Sequence, residues 1–203
     1  DANTVIIGTV DGVTGITTNG GSITLNTGNG PLTINNPITS LNGNITLSTG
    51  ETLESEIVTL TLAANLSAGS GIIDLLSADD IIQTAGSILA STGSLRVRTT
   101  DTDASVSVPP AVITLTQATN NVGTLAGSIL ESGDSFSYGD ADGLTIGSVL
   151  GTLGVTTAGG NITITTPGAL TVSQAVSSGA GAITLNVNGG TLTNNNTITS
   201  SGT

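Results

Sequence analysis

One short phrase recurs along this chain: Gly, a small polar residue, then aliphatic–Thr–aliphatic. It stands at Gly20–Asn26 (GGSITLN), Gly43–Ser48 (GNITLS), Gly159–Thr165 (GGNITIT) and Gly181–Asn186 (GAITLN). Ile23 is answered by Ile45 and Ile162 by Ile183, and each interval holds a second short strand such as Leu32-Thr33-Ile34 or Leu170-Thr171-Val172. The phrase thus returns about every 21 residues, and repetition at a period of roughly 20–50 residues is the signature of solenoids and related arrays. No segment sustains a helical apolar period with caps.

Strand side chains alternate between faces, so Ile23 and Leu25 face one way and Thr24 and Asn26 the other. Stacking one such coil on the next about every 21 residues forms aliphatic ladders inside a narrow tube, with Thr and Asn outside. Ile23, Leu25, Ile45, Leu47, Ile162, Ile164, Ile183 and Leu185 are expected inside, and Thr24, Thr46, Thr163 and Thr184 outside. At that spacing the chain makes on the order of nine or ten coils, about 45 Å in all. The composition suits this: the apolar residues are Ile, Leu, Val and Ala, with one Phe and one Tyr. A compact globule of this size usually has several aromatics anchoring its core.

A longer repeat encloses the short one. Ile7–Leu25 (IGTVDGVTGITTNGGSITL) and Ile146–Ile164 (IGSVLGTLGVTTAGGNITI) agree at 11 of 19 positions. The likeness continues through Leu32/Leu170 and Ile45/Ile183 with one residue deleted. The long unit is therefore about 139 residues, several short periods in length. The expectation is a single continuous solenoid over residues 1–203, with one unit at 7–145 and part of a second at 146–203, related by translation along one axis. A second copy that stops early, with neither end resembling a polar cap, reads as a piece of a longer array. Two stretches break the rhythm. Residues 99–110 carry the Asp101/Asp103 cluster and Pro109-Pro110, and Pro cannot donate a ladder hydrogen bond. They are read as a loop excursion, with a smaller one at 49–57 around Glu51, Glu54 and Glu56.

Charge is sparse and acidic: 14 acidic residues against two Arg, with no Lys and no His, for a net −12. Such a chain repels phosphate backbones and anionic lipid, so no nucleic-acid partner is expected. No apolar run reaches the roughly 20 residues of a spanning helix, so no membrane insertion is expected either. Without Cys there are no disulfides and no thiolate metal sites.

The phrases VGTLAGSILESGDSFSYGDADGLTIGSV (Val122–Val149), GVTGITTNGGSITLNT (Gly12–Thr27) and DDIIQTAGSILASTGSL (Asp79–Leu95) resemble repeats of large filamentous-haemagglutinin-like exoproteins. The resemblance covers nearly the whole chain. It implies an all-β, right-handed parallel β-helix, export by a two-partner or related route, a bacterial cell-surface or secreted location, and a role in adhesion, biofilm or an extracellular fibre. The expected partners are neighbouring repeats or subunits end to end, and host or matrix glycans or proteins. The family offers no catalytic residues to transfer.

Candidate chemistry is thin. Lacking His and Cys, the chain has neither the usual general base nor a thiol nucleophile, and lacking Lys it has no Schiff-base amine. No catalytic residue, cofactor or enzyme activity is expected. The alternative function is a carbohydrate-binding or carbohydrate-cleaving β-helix using the carboxylates of Asp79-Asp80, Asp101/Asp103 or Asp140/Asp142, which need a partner about 5–10 Å away across a cleft. The plainer reading is that these Asp side chains bond local backbone at turns. Gly139–Gly143 (GDADG) resembles part of a calcium loop, but Val149 stands where the bidentate Glu belongs. Asp134, Asp140 and Asp142 remain as a Ca2+ candidate, against a plain turn. Phe136 and Tyr138 share a strand face and are expected to plug the core.

Overall fold

The computed structural model describes residues 4–51, 57–100 and 112–202. Among them every regular element is a strand, and the strands are mostly parallel and stacked in long sheets. The described residues pass through eight successive rungs. The first comprises β1 (Val5–Ile7), β2 (Thr9–Val10), β3 (Val13–Thr14), β4 (Ile16–Thr17) and β5 (Ile23–Asn26). The second has β6 (Leu32–Ile34), β7 (Ile38–Thr39) and β8 (Ile45–Ser48). The third has β9 (Leu60–Leu62), β10 (Leu66–Ser67) and β11 (Ile72–Ser77). The fourth has β12 (Ile81–Gln83) and the long β13 (Ile88–Thr99), and the fifth has β14 (Val112–Leu115) and the long β15 (Asn121–Ser132).

The sixth rung holds β16 (Ser135–Gly139), β17 (Leu144–Ile146), β18 (Ser148–Val149), β19 (Thr152–Leu153) and β20 (Val155–Ala158). The seventh holds β21 (Ile162–Thr166), β22 (Leu170–Val172) and β23 (Val176–Ser177). The eighth holds β24 (Ile183–Val187), β25 (Leu192–Asn194) and β26 (Ile198–Thr199). Two antiparallel hairpins, β2–β3 and β18–β19, interrupt this parallel scheme.

The predicted alternation decides what is inside. Ile23 pairs with Ile45 and Ile45 with Ile73, while Leu25 pairs with Leu47 and Leu47 with Leu75. Such like-on-like columns form one apolar cluster that runs through the molecule. Ile45, Leu47, Ile162 and Ile164 are fully buried. Leu25, Ile183 and Leu185 pack against the same cluster but are only half-buried, because they lie in the first and last rungs. Thr24 and Thr184 are exposed, whereas Thr46 and Thr163 are half-shielded by the rungs on either side. Phe136 and Tyr138 are buried in the core as expected. Room for Phe136 comes from Gly127, where a Cβ would approach the ring to 3.1 Å.

Rung length varies more than the short phrase suggests. Leu60 pairs with Ile81 and Ile162 with Ile183, which is the short step expected, but Ile81 pairs with Ile113, a step half as long again. The extra residues fall where the rhythm breaks. Thr99 itself still closes β13 and is buried, so the departure starts later than residue 99. Residues 101–110 of that expected excursion, with Asp101 and Asp103, and residues 52–56 of the smaller one lie outside the described residues. The described residues therefore make eight rungs rather than nine or ten, roughly 35 Å from first to last.

One pattern of strands occurs twice along the chain. β1 to β10 correspond in order to β17 to β26, and the pairings β1–β6–β9, β4–β7–β10 and β5–β8 recur as β17–β22–β25, β20–β23–β26 and β21–β24. The relation is not a pure translation. β5 and β8 belong to the large sheet, but their counterparts β21 and β24 extend the eight-stranded sheet that begins with β1 and β6. The reason is arithmetic. Five rungs separate β1 from β16, and β17 is the next strand after β16 in the sixth rung. The unit is thus five rungs and one strand of three, which carries the second copy about a third of a turn around the stack.

Candidate functional site

Two places gather polar chemistry. The first lies at the end of β16, where a groove of about 360 Å³ is lined by Thr116, Tyr138, Asp140, Thr163, Thr165 and Asn188, among others. β16 alternates, so Phe136 and Tyr138 point inward, and Asp140 caps the strand just beyond. The Tyr138 hydroxyl donates to Asp140 Oδ2 at 2.9 Å. The Val122 amide donates to the same oxygen at 3.2 Å, and the Asp142 amide donates to Oδ1 at 3.1 Å. Burial holds the Asp140 carboxyl above its ordinary range, although these donors oppose the shift. Burial, and then the Asp140 carboxylate, pushes the Tyr138 phenol well above its usual value. Three donors on one buried carboxylate make a structural knot that ties the sixth rung to the fifth.

The structure does not gather Asp134, Asp140 and Asp142. Asp134 precedes β16 and Asp140 follows it, so about 20 Å of strand separates them. Calcium needs its oxygens within about 2.6 Å of one ion, and no such set forms from these three. Among the described residues no group of three or more His, Cys, Asp or Glu side chains converges on a metal position. Asp142 is exposed and accepts from Asn121 Nδ2 at 2.9 Å. Asp79 and Asp80 accept backbone amides, from Val58 at 2.6 Å and Val112 at 2.8 Å. Asp140 thus takes one local turn amide, that of Asp142, whereas Asp79 and Asp80 accept amides from distant segments of the chain rather than from their own turn.

The second place was not visible in the sequence. Asp74 on β11 and Arg96 on β13 pair in register, next to Thr46 in the same outward column. Arg96 forks onto Asp74, with Nε donating to Oδ1 at 2.7 Å and Nη2 to Oδ2 at 2.5 Å. Arg98 approaches the same carboxylate at 3.9 Å. Burial, and then the charge of Arg96, lowers the Arg98 pKa. Although the column faces outward, Asp74 is only 6% exposed. The hairpin β18–β19 lies over the outer side of β13 and β15, and Arg96 Nη1 donates to the Leu150 carbonyl at its tip at 3.0 Å. Ala126, the next residue in the column, is fully buried beneath it.

Both hairpins turn through two residues with positive φ, Asp11-Gly12 at 49° and 80° and Leu150-Gly151 at 49° and 83°. This is the tight turn whose twist matches paired strands, and it favours Gly at the second position. Elsewhere the outer surface carries mainly Thr, Ser, Asn and Gly. Among the described residues no helix is long and apolar enough to cross a membrane. Comparison with family models, with curated proteins and with solved structures finds no match.

Proposed function

We propose that this chain is a structural repeat segment of a secreted or surface-anchored bacterial filamentous protein, built as a right-handed parallel β-helix of the filamentous-haemagglutinin-like kind and serving adhesion, biofilm or an extracellular fibre. The observation that carries this reading is the unit itself. Ten consecutive strands recur in the same order and pair among themselves in the same way, the second copy stacked on the coils of the first. Stability in such a stack is a sum over coils and their interfaces, so lengthening it requires no new core design. The polar chemistry also fits a scaffold. The Asp74–Arg96 fork and the Asp140–Tyr138 knot direct their hydrogen bonds within the molecule.

A carbohydrate site would be expected to present an aromatic platform and a facing pair of carboxylates. Phe136 is fully buried, Tyr138 reaches the groove with only 1% of its surface exposed and its hydroxyl held by Asp140, and among the described residues Asp140 has no second carboxylate facing it in the lining. The array reading is tested with chains of one, two and three long units. Rods that lengthen by roughly 25 Å per unit, with unfolding midpoints that rise and then level off, support it. Midpoints independent of unit number refute it. Beads coated with the three-unit chain test the adhesive role by retention on glycan and matrix-protein surfaces.

A further inference from the structure

The two hairpins are copies of one device in different surroundings. In the second copy, Val149 is 3% exposed because β18–β19 folds back over the preceding rungs. Its counterpart in the first copy is Val10, which is 72% exposed, and Val13 beside it is 70% exposed. The turn geometry is the same in both, so the difference lies in what each hairpin rests on. Gly15 and Gly154, which follow the hairpins, share a positive φ of 70° and 67° and press against the next rung at Pro37 and Ala175. The two hairpins therefore leave the stack from equivalent corners, and β18–β19 folds back over the preceding rungs.

We propose that hairpin Thr9–Thr14 is an inter-unit clasp whose occupant is a second copy of the same unit: it seats on the outer face of that copy's last rungs, over the positions held here by Arg96, Arg98 and Ala126. The proposal rests on the array reading, and it continues an interface the molecule already contains. Hairpin β18–β19 makes that contact within this chain, with Val149 buried and the Leu150 carbonyl bound to Arg96. Charge agrees with the assignment. At the seat, among the described residues, two arginines share one close carboxylate, Asp74, and the Arg98 Nε has no hydrogen-bond partner. The first hairpin carries Asp11 at its tip where the second carries Leu150. Docked in the same way, Asp11 brings a further carboxylate to the Arg96 and Arg98 pair, and Val10 takes the buried place of Val149. Since the unit is five rungs and a third, each clasp closes a different face of the rod from the one before it.

The chain has no Cys, so a single introduced thiol reports burial directly. The full chain is compared with one in which residues 7–145 are duplicated in tandem, so that the second copy of Thr9–Thr14 follows a complete unit. Val10→Cys at that inner hairpin should alkylate about 10-fold or more slowly than Val10→Cys at the outer one, and at a rate close to Val149→Cys. Asp11→Lys at the inner position should lower the unfolding midpoint, and the same change at the outer position should leave it unmoved. Fast alkylation at the inner hairpin of a longer, more stable rod overturns the clasp and leaves the array reading standing. A duplicated chain no more stable than the original overturns the array reading and the clasp with it. Slow alkylation of Val10→Cys in the unextended chain also overturns the proposal, because it would mean that something other than a preceding unit covers the hairpin.

Discussion

Replacing Arg96 tests whether the buried fork is a structural element or a solvated surface pair. In Arg96→Thr the Asp74 carboxylate, whose side chain is 8% exposed, loses donors at 2.7 and 2.5 Å and keeps, among the described residues, Arg98 at 3.9 Å. Removing one partner of a buried ion pair costs about 3–5 kcal/mol, because the other charge stays desolvated. Loss of the bond to the Leu150 carbonyl also loosens the hairpin above it. The lower end of that range, about 3 kcal/mol, is expected here, since the rim is partly wet. For a chain of this size that is a fall of about 6–12 °C in Tm. Asp74→Thr alone should cost a similar amount, because it leaves Arg96 and Arg98 side by side without their carboxylate. The double change Asp74→Thr/Arg96→Thr extends the column already begun by Thr24 and Thr46 and should cost only about 1 kcal/mol. The assay is urea unfolding of the four proteins of the cycle. A coupling of about 2 kcal/mol or more is expected, well above the roughly 0.5 kcal/mol scatter of independent sites. Single changes below about 1 kcal/mol that simply add would show a solvated surface pair and refute the reasoning.

Three further outcomes rest on other close contacts in the stack. Gly71→Ala should cost about 2–3 kcal/mol in urea unfolding, since its Cβ would stand 2.2 Å from the Gly43 carbonyl oxygen, whereas Gly8→Ala, with open space around it, should stay within about 0.5 kcal/mol. Tyr138→Phe removes the hydroxyl donor to buried Asp140 and should cost about 1.5–3 kcal/mol at neutral pH, read as a shifted urea midpoint at unchanged m. Asp140 has a raised pKa in the fold, so its protonated form is the one folding favours: that contribution is complete below the ordinary carboxylate range and is lost as pH rises through the raised value. The Tm deficit of Asp140→Asn relative to the parent should therefore shrink as pH rises across that window, and a deficit that widens would contradict the direction of the shift.

Much of the fold was legible because the signal was local. Ile23-Thr24-Leu25 and its relatives alternate, and alternation alone assigns faces. The glycine before each such strand has a reason that sequence could only suggest. Gly43, Gly71 and Gly93 stack at one corner, where a Cβ on any of them would approach the preceding rung's carbonyl oxygen to between 2.0 and 2.5 Å. A hydroxyl three residues before such a glycine closes the turn, as Ser40 Oγ does on the Gly43 carbonyl at 2.6 Å and, at a different corner of the stack, Thr157 Oγ1 does on that of Gly160 at 2.6 Å. The spacing of Ser or Thr and Gly is a signal that could have been read. The hairpins were hidden because each strand is only two residues long, so no periodicity could mark them, although Asp11-Gly12 is a turn dipeptide. The fork was not legible. Asp74 stands inside the apolar run Ile-Ile-Asp-Leu-Leu, and its partner is found only through a register that depends on the length of the intervening rung. The same holds for the buried amide pair of Gln83 and Asn120, far apart in sequence, which exchange two bonds at 2.8 Å.

The fractional unit has a consequence for any array built from it. If the long unit made a whole number of rungs, every hairpin and every exposed Leu or Val would line up on one face. Leu150 and Leu153 are 53% and 58% exposed, and a straight row of such residues would be an apolar stripe. Aligned stripes promote lateral association, which charge and geometry normally oppose. With five rungs and a third per unit, each hairpin is turned by about 120° from the last, and the same face returns after three units and 16 rungs, roughly 75 Å along the axis. A six-unit chain imaged by electron microscopy should therefore show its hairpin density winding round the rod with that spacing. A repeat of roughly 25 Å on a single face would mean that consecutive units are related by translation, and the rung count derived from β1, β16 and β17 would be wrong for the assembled array.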